Sequence, residues 1–314
     1  MSKSLTKDTI RDIKKSLGRF ISILVICALG VAFFVGIKSS PLSMKRTVDQ
    51  YYDDYNMMDL RLLSTLGFTD SDVEAIEQLP GINGVFATFS QDVITNYNNR
   101  ELVLKVHALP ENLNSDNSDY INQVRVIEGR LPEKSGEAVI EKGNYVETME
   151  IGSKITLESG TDQELSDTLE TIEYTIVGIV ETPYYLSFDK GTTTIGNGEI
   201  ASFIMIPQSD FKSDIYTEVF VTASGVSDLD TFSKAYEEAM QPLISSIETL
   251  ADTQTKQRYD EIMDEATKEL DKGRQEYEDK KAEALAELQK ASDELEEAKE
   301  TIESGKSELA SKKT

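Results

Sequence analysis

Tryptophan is absent, and histidine and cysteine occur once each in 314 residues. A single cysteine cannot form an intrachain disulfide, so any domain here must hold together by its own core. One histidine leaves little room for a histidine-built metal centre or a Ser-His relay. Basic residues are also scarce, 32 Lys and Arg against 57 Asp and Glu, for a net charge of −25. Phosphate backbones are bound by clustered Lys and Arg, so nucleic acid is excluded as a generic partner. A surface of this sign is also repelled by anionic lipid headgroups. No Gly-x-x-x-x-Gly-Lys-Ser/Thr motif occurs, so the chain carries no P-loop for ATP. No nucleophile–base pair or carboxylate dyad stands out, and no catalytic, cofactor-binding or metal-ligating residue is assigned.

The charge that is present is segregated. Through Lys38 there are seven basic and two acidic residues, which leaves 25 basic and 55 acidic for the remainder. Between Arg19 and Lys38 lies an uncharged apolar run, 20–37. Eighteen helical residues span about 27 Å, close to a bilayer's hydrocarbon thickness. A cleaved signal peptide would have a shorter apolar run and a small-residue cleavage site, whereas this run ends Gly36-Ile37-Lys38. A retained membrane anchor is therefore expected. Lys3, Lys7, Arg11, Lys14, Lys15 and Arg19 precede it, so residues 1–19 belong in the cytoplasm and everything after residue 38 outside. Ile10, Ile13, Leu17 and Phe20 share one helical face with the basic residues mostly opposite, a pattern that suits an interfacial amphipathic helix and equally a solvated basic flank. Met44, Val48, Tyr51 and Tyr55 continue a helical stripe beyond the span, which predicts a helical extension over 38–56.

From Met57 the pattern changes to short strands and turns. Residues 58–63 read as a strand, and Thr69-x-x-Asp72 opens a helix ended by Pro80-Gly81. Residues 85–95 and 101–109 read as two further strands. A second strand-rich block covers 123–207, with 161–168 as a polar hairpin tip, before a last strand at 217–222 returns to the first layer. The expected class is α+β, with a small β subdomain at about 120–210 inserted into the domain 57–228. His107, flanked by Val106 and Ala108, is expected on a polar strand face rather than as a metal ligand. Arg130 reads as the brace of a turn. Lys190 and the glycines that follow it lack the features of a phosphate loop.

After Ser227-Asp228-Leu229-Asp230, which reads as a helix cap, residues 229–314 form a stalk. Leu288, Leu295, Ile302 and Leu309 recur every seven residues, and Tyr277, Ala284, Ala291, Ala298 and Gly305 form a second row. That is a coiled-coil seam of one bulky and one small layer, a pattern that suits a close antiparallel partner helix. Asp264/Lys268, Glu276/Lys280 and Glu308/Lys312 are expected to pair along the outside. The chain stops at Thr314 within a heptad, so the expectation is a returning helix beyond the sequence given.

The motifs Glu128-Gly129-Arg130-Leu131-Pro132, Gly136-Glu137-Ala138-Val139-Ile140, YTIVGIV at 174–180 and Pro183-Tyr184-Tyr185 occur in this order. In that order the chain resembles the periplasmic core domain of MacB/FtsX-type ABC-transporter permeases. The 191–198 loop resembles a Gram-positive branch in which a long coiled coil interrupts the domain. The resemblance implies a cell-membrane protein without catalysis of its own, served by a separate cytoplasmic ABC ATPase subunit. It also implies the remaining permease helices or a second permease copy, and a cell-envelope protein or an exported peptide or lipid as the object of the work. The rival readings are a single-span adhesin or signalling ectodomain on a coiled-coil stalk and, more remotely, a membrane-anchored enzyme.

Overall fold

The computed structural model describes residues 3–143, 149–187 and 189–312. The expectation drawn from the end at Thr314 lies outside them. Helix α1 (Lys3–Lys15) breaks at Ser16, and helix α2 (Leu17–Asp54) runs 38 residues through the apolar segment. Its length is about 57 Å, well beyond the roughly 30 Å of a hydrocarbon core. Pro41 sits inside it, and the apolar side chains from Phe20 to Ile37 are exposed. This is a surface that the chain itself does not cover.

Two β bodies follow. Strands β1 (Leu60–Phe68), β2 (Ile82–Thr88) and β10 (Tyr216–Ala223) form a three-stranded antiparallel sheet in the order β1-β10-β2. Helix α3 (Asp70–Glu77) connects β1 to β2, and its capping box between Thr69 and Asp72 forms as the sequence predicts. The first turns of helix α4 (Lys234–Ser311) pack Met240, Leu243 and Ile247 against Leu60, Leu62 and Ile82 of this sheet. The cap at the start of α4 differs from expectation: Ser233, not Ser227-Asp230, accepts the Tyr236 amide at 3.2 Å.

The larger body comprises β3 (Ser90–Tyr97), β4 (Arg100–Leu109), β5 (Arg125–Gly129), β6 (Glu137–Glu141), β7 (Lys154–Glu158), β8 (Glu173–Glu181) and β9 (Ser202–Pro207). Their order is β5-β8-β6-β9-β4-β3-β7, and β7 pairs in addition with β8. Six strands therefore close into a barrel. Strand β8 shares one edge between β7 at residues 173–175 and β5 at 178–181. Closure removes most free edges. The interior is filled by Val93, Leu104, Val106, Ile140, Leu157, Ile176, Ile204 and Ile206, all essentially inaccessible, with Leu165 and Leu169 of the 161–168 hairpin connection covering one end.

Two strand assignments change. The predicted strand 85–95 is two strands in different bodies, broken at Phe89. Nothing local breaks it: neither glycine nor proline occurs between 85 and 95. The turn is held by the Phe89 ring, buried, stacked on Phe211 at 5.0 Å and tilted against Tyr216 at 4.9 Å. Consequently β3 and β4 belong to the inserted body, which starts at Ser90 and is the larger of the two.

Gly178 shows how tightly β5 and β8 pass. A Cβ there would lie 2.3 Å from the Arg130 carbonyl oxygen, whereas at Gly273 on α4 it would meet nothing. Gly178→Ala is expected to destabilise the domain by about 2–4 kcal/mol. Gly273→Ala should stabilise its helix by up to about 1 kcal/mol. Urea unfolding of each variant, read by circular dichroism, checks the contrast in sign.

Candidate functional site

Among the described residues there is no group of three or more His, Cys, Asp or Glu that could hold a metal ion. What the fold does build is a pair of polar junctions, one where α2 meets the globular domain and one where the three-stranded sheet meets the barrel.

At the first junction the helix loses its backbone partners and the domain supplies replacements. The carbonyls of Tyr55 and Asn56 accept the amides of Gln123 (2.9 Å) and Asn122 (2.8 Å). The Asn56 Nδ2 donates to the Tyr120 carbonyl at 2.9 Å, and the Met58 amide donates to Asn122 Oδ1 at 3.0 Å. Asn56 and Asn122 both adopt positive φ, a conformation that asparagine tolerates better than most residues. One turn earlier, Asp49 Oδ1 accepts the Thr231 amide at 2.7 Å, and the Phe232 ring lies between Lys45 and Tyr52. Asp59 then accepts the Ala223 amide at 2.7 Å and the Tyr236 hydroxyl of α4. The extension of the span is thus tied both to the segment 118–123 and to the loop that starts α4. Burial, reinforced by Asp49, Asp54, Asp59 and Asp228, raises the Asp53 carboxyl above its ordinary value. The predicted stripe is partly realised: Val48, Tyr51 and Tyr55 turn toward the domain, while Met44 stays 65% exposed.

At the second junction Glu218 of β10 is wholly buried. Arg61 of β1 donates to it through Nε at 2.6 Å, and His107 Nδ1 of β4 lies 3.9 Å away. His107 Nε2 meets the Tyr185 hydroxyl at 2.8 Å. This corrects the expectation of a polar-face histidine. Strand β4 lies between β3 and β9 with both faces covered, so its imidazole is buried between the two bodies. Burial, with the charges of Lys105 and Arg61, pushes the imidazole down to about 3, so the ring is neutral at physiological pH. Arg61 also lies over the Tyr184 ring.

Lys190 is likewise engaged. Its Nζ is 2.6 Å from Glu141, and it lies over the rings of Tyr185 and Phe203 with its side chain 5% exposed. An ammonium so enclosed is not available to a phosphate. Arg130 braces a turn through a bidentate pair to Glu137, both contacts 2.7 Å, and donates to the Leu131 carbonyl at 2.9 Å. The Arg130 hydrogen bonds, joined by the Glu133 amide, pull the Glu137 carboxyl down to about 2.

Because the ordinary value is 4.5 and the folded value lower, this pair stabilises the fold above pH 4.5. The contribution is lost as pH falls toward about 2. Glu137→Gln should flatten the acid side of the stability–pH curve between those values and lower neutral-pH stability by about 1–3 kcal/mol. Urea titrations at stepped pH measure both. An unchanged acid slope would assign that slope to other carboxylates.

The chain was compared with known proteins. The crystal structure of the extracellular domain of the noncanonic ABC-type transporter YknZ from Gram-positive bacteria matches at 16% identity and TM-score 0.33, over 58% of this chain and 86% of that one. The periplasmic region of MacB from Actinobacillus actinomycetemcomitans matches at 12% identity and TM-score 0.33, over 60% and 76%. A domain of a putative permease protein from Porphyromonas gingivalis matches at 14% identity and TM-score 0.30, over 61% and 85%. No curated protein matches. The family profile described as MacB-like periplasmic core domain matches residues 20–239, which runs from the apolar helix through both β bodies to the start of α4. The chain belongs to the MacB-like periplasmic core domain family.

Proposed function

We propose that this chain is the extracytoplasmic and first membrane-spanning portion of an ABC-transporter permease that carries ATP-driven motion across the membrane. The single observation that supports this reading best is the exit of α2. No Gly/Ser-rich tether separates the span from the domain; instead Tyr55, Asn56 and Met58, just after the helix, are hydrogen-bonded to 118–123, and Asp49 holds the loop before α4. A binding module merely hung from a membrane would tolerate a flexible linker here. A device that converts helix motion into domain motion would not.

In this reading a separate cytoplasmic ATPase subunit moves α2, with the other permease helices or a second permease copy completing the membrane part. The basic segment before the span lies in the cytoplasm, and the acidic body outside. The bonds at residues 49–59 deliver displacement to the three-stranded sheet, whose central strand β10 carries Glu218 into the barrel junction. The object of the work is an exported peptide or lipid or a cell-envelope protein, in keeping with the resemblance.

Two measurements test the proposal. In a Cys27→Ala background, Lys7→Cys should resist an impermeant thiol reagent in intact cells and Ser118→Cys should react; the reverse pattern would sink it. A six-residue Gly/Ser insertion between Asn56 and Met57 should reduce transport by at least about tenfold while leaving ATPase association and the domain's far-ultraviolet spectrum unchanged. Retained transport would leave only a tethered domain.

A further inference from the structure

The two junctions meet around one cavity of about 20 Å³. It is lined by Phe86, Thr88 and Phe220 of the three-stranded sheet, His107 of the barrel, Tyr184, and Asn122 of the segment that holds the end of α2. Most of this wall is aromatic. Two polar atoms in it nevertheless have no hydrogen-bond partner among the described residues, the Thr88 hydroxyl and Asn122 Nδ2, on residues only 1% and 6% exposed. Buried polar groups are almost always paired, so two orphans in one cavity wall call for an occupant.

Asn122 uses every other polar atom it has. Its amide donates to the Asn56 carbonyl at 2.8 Å, its carbonyl accepts the Thr182 hydroxyl at 3.3 Å, and its Oδ1 accepts the Met58 amide at 3.0 Å. The Met58 contact fixes which end of the side-chain amide is oxygen, so the group left over is an N–H donor. Thr88 lies directly opposite the buried Glu218 in the pairing of β2 with β10. Valine would fill the same space and suit a strand equally well, so the hydroxyl is the part that needs a reason.

Size and charge decide the occupant. The cavity exceeds the roughly 10–15 Å³ that one water needs and falls far below an organic ligand's pocket of about 300 Å³ or more. An apolar group would leave both polar atoms unpaired. A cation would meet the Asn122 N–H and no carboxylate in the wall, and an anion would sit beside the strand that carries Glu218.

We propose that a single structural water binds in this cavity, accepting a hydrogen bond from Asn122 Nδ2 and donating one to Thr88 Oγ1. Two polar partners meet the minimum for a buried water. The bridge joins the segment that terminates α2 to the strand paired with Glu218, so the two junctions share one polar contact. The inference rests on the cavity and its two orphan atoms and stands whether or not the chain acts in a transporter.

Thr88→Val in the full chain, held in detergent micelles, tests it, because a hydrated and a dry cavity give opposite signs. Valine keeps the shape and removes the hydroxyl. With the water bound, the substitution breaks the bridge and strands Asn122 Nδ2. The ratio of folded to unfolded chain at fixed urea, read by near-ultraviolet circular dichroism of the tyrosines, should then fall about fivefold. In a dry cavity valine removes an unpaired buried hydroxyl, so a rise in that ratio would overturn the proposal. Oxygen-17 relaxation dispersion counts long-lived internal waters directly. The unsubstituted chain should hold one more than Thr88→Val, and equal counts would overturn the proposal whatever the stability change. Asn122→Gly, which permits the same left-handed backbone, tests the other end of the bridge. In that background Thr88→Val should lower the ratio only about twofold; strict additivity means that the water does not join these residues, and the bridge falls. The first two measurements decide the matter where Asn122→Gly does not fold.

Discussion

A membrane helix can move a domain only if its first residues outside the bilayer are held at more than one point. Residues 55–58 meet that condition by backbone hydrogen bonding rather than by hydrophobic contact. Where α2 ends, its last carbonyls need donors, and the amides of Asn122 and Gln123 supply them. Asn56 and Asn122 can do this because each tolerates a left-handed backbone and offers an amide side chain to the other segment. The same residues that terminate the helix therefore fix its direction. Asp49, one turn upstream, adds a second point of attachment to the loop before α4. Two attachments at different heights resist tilting as well as translation, which one would not.

The second junction is of a different kind. Glu218 and His107 are buried between the three-stranded sheet and the barrel, and such a carboxylate is tolerable only with Arg61 beside it. Aromatic rings fill the rest of the contact: Tyr184 touches His107 and Phe220, and Tyr185 stacks on Phe203 at 4.8 Å. A buried carboxylate whose cation reaches it from the edge fixes one alignment of the two bodies, because slippage leaves Glu218 desolvated and unpartnered. Strand β10 is central in its sheet, so Glu218 places this contact between β1 and the barrel.

The parts of this architecture that were legible in sequence are those encoded locally. The apolar run 20–37 and its basic flank, the Thr69–Asp72 capping box and the heptad of α4 each depend on residues within a few turns of one another. The strand-rich character of 174–180 was equally plain, and one face of β8 lines the barrel interior. What could not be read was set by residues distant in sequence. Phe89 turns the chain only because Phe211 and Tyr216 arrive to stack on it. His107 was expected on a polar face because a neutral imidazole reads as polar; only the second body covering β4 buries it. The pairing of β7 with β3, which closes the barrel, leaves no signal in either strand, and both junctions consist of ordinary residues whose meaning is their position.

The stalk reverses that relation between local and distant information. A solvent-facing charge row usually says no more than that a face is wet. Here Asp264, Asp271 and Glu278 precede Lys299 and Lys306 along one row of the helix. That order costs nothing in an isolated helix and gains nothing there either, since surface pairs contribute little singly. Its physical consequence would appear only opposite a helix of reversed direction. In a chain of net charge −25, the lysines at 299 and 306 offset the charge locally, over the last turns of a helix whose earlier half is acidic.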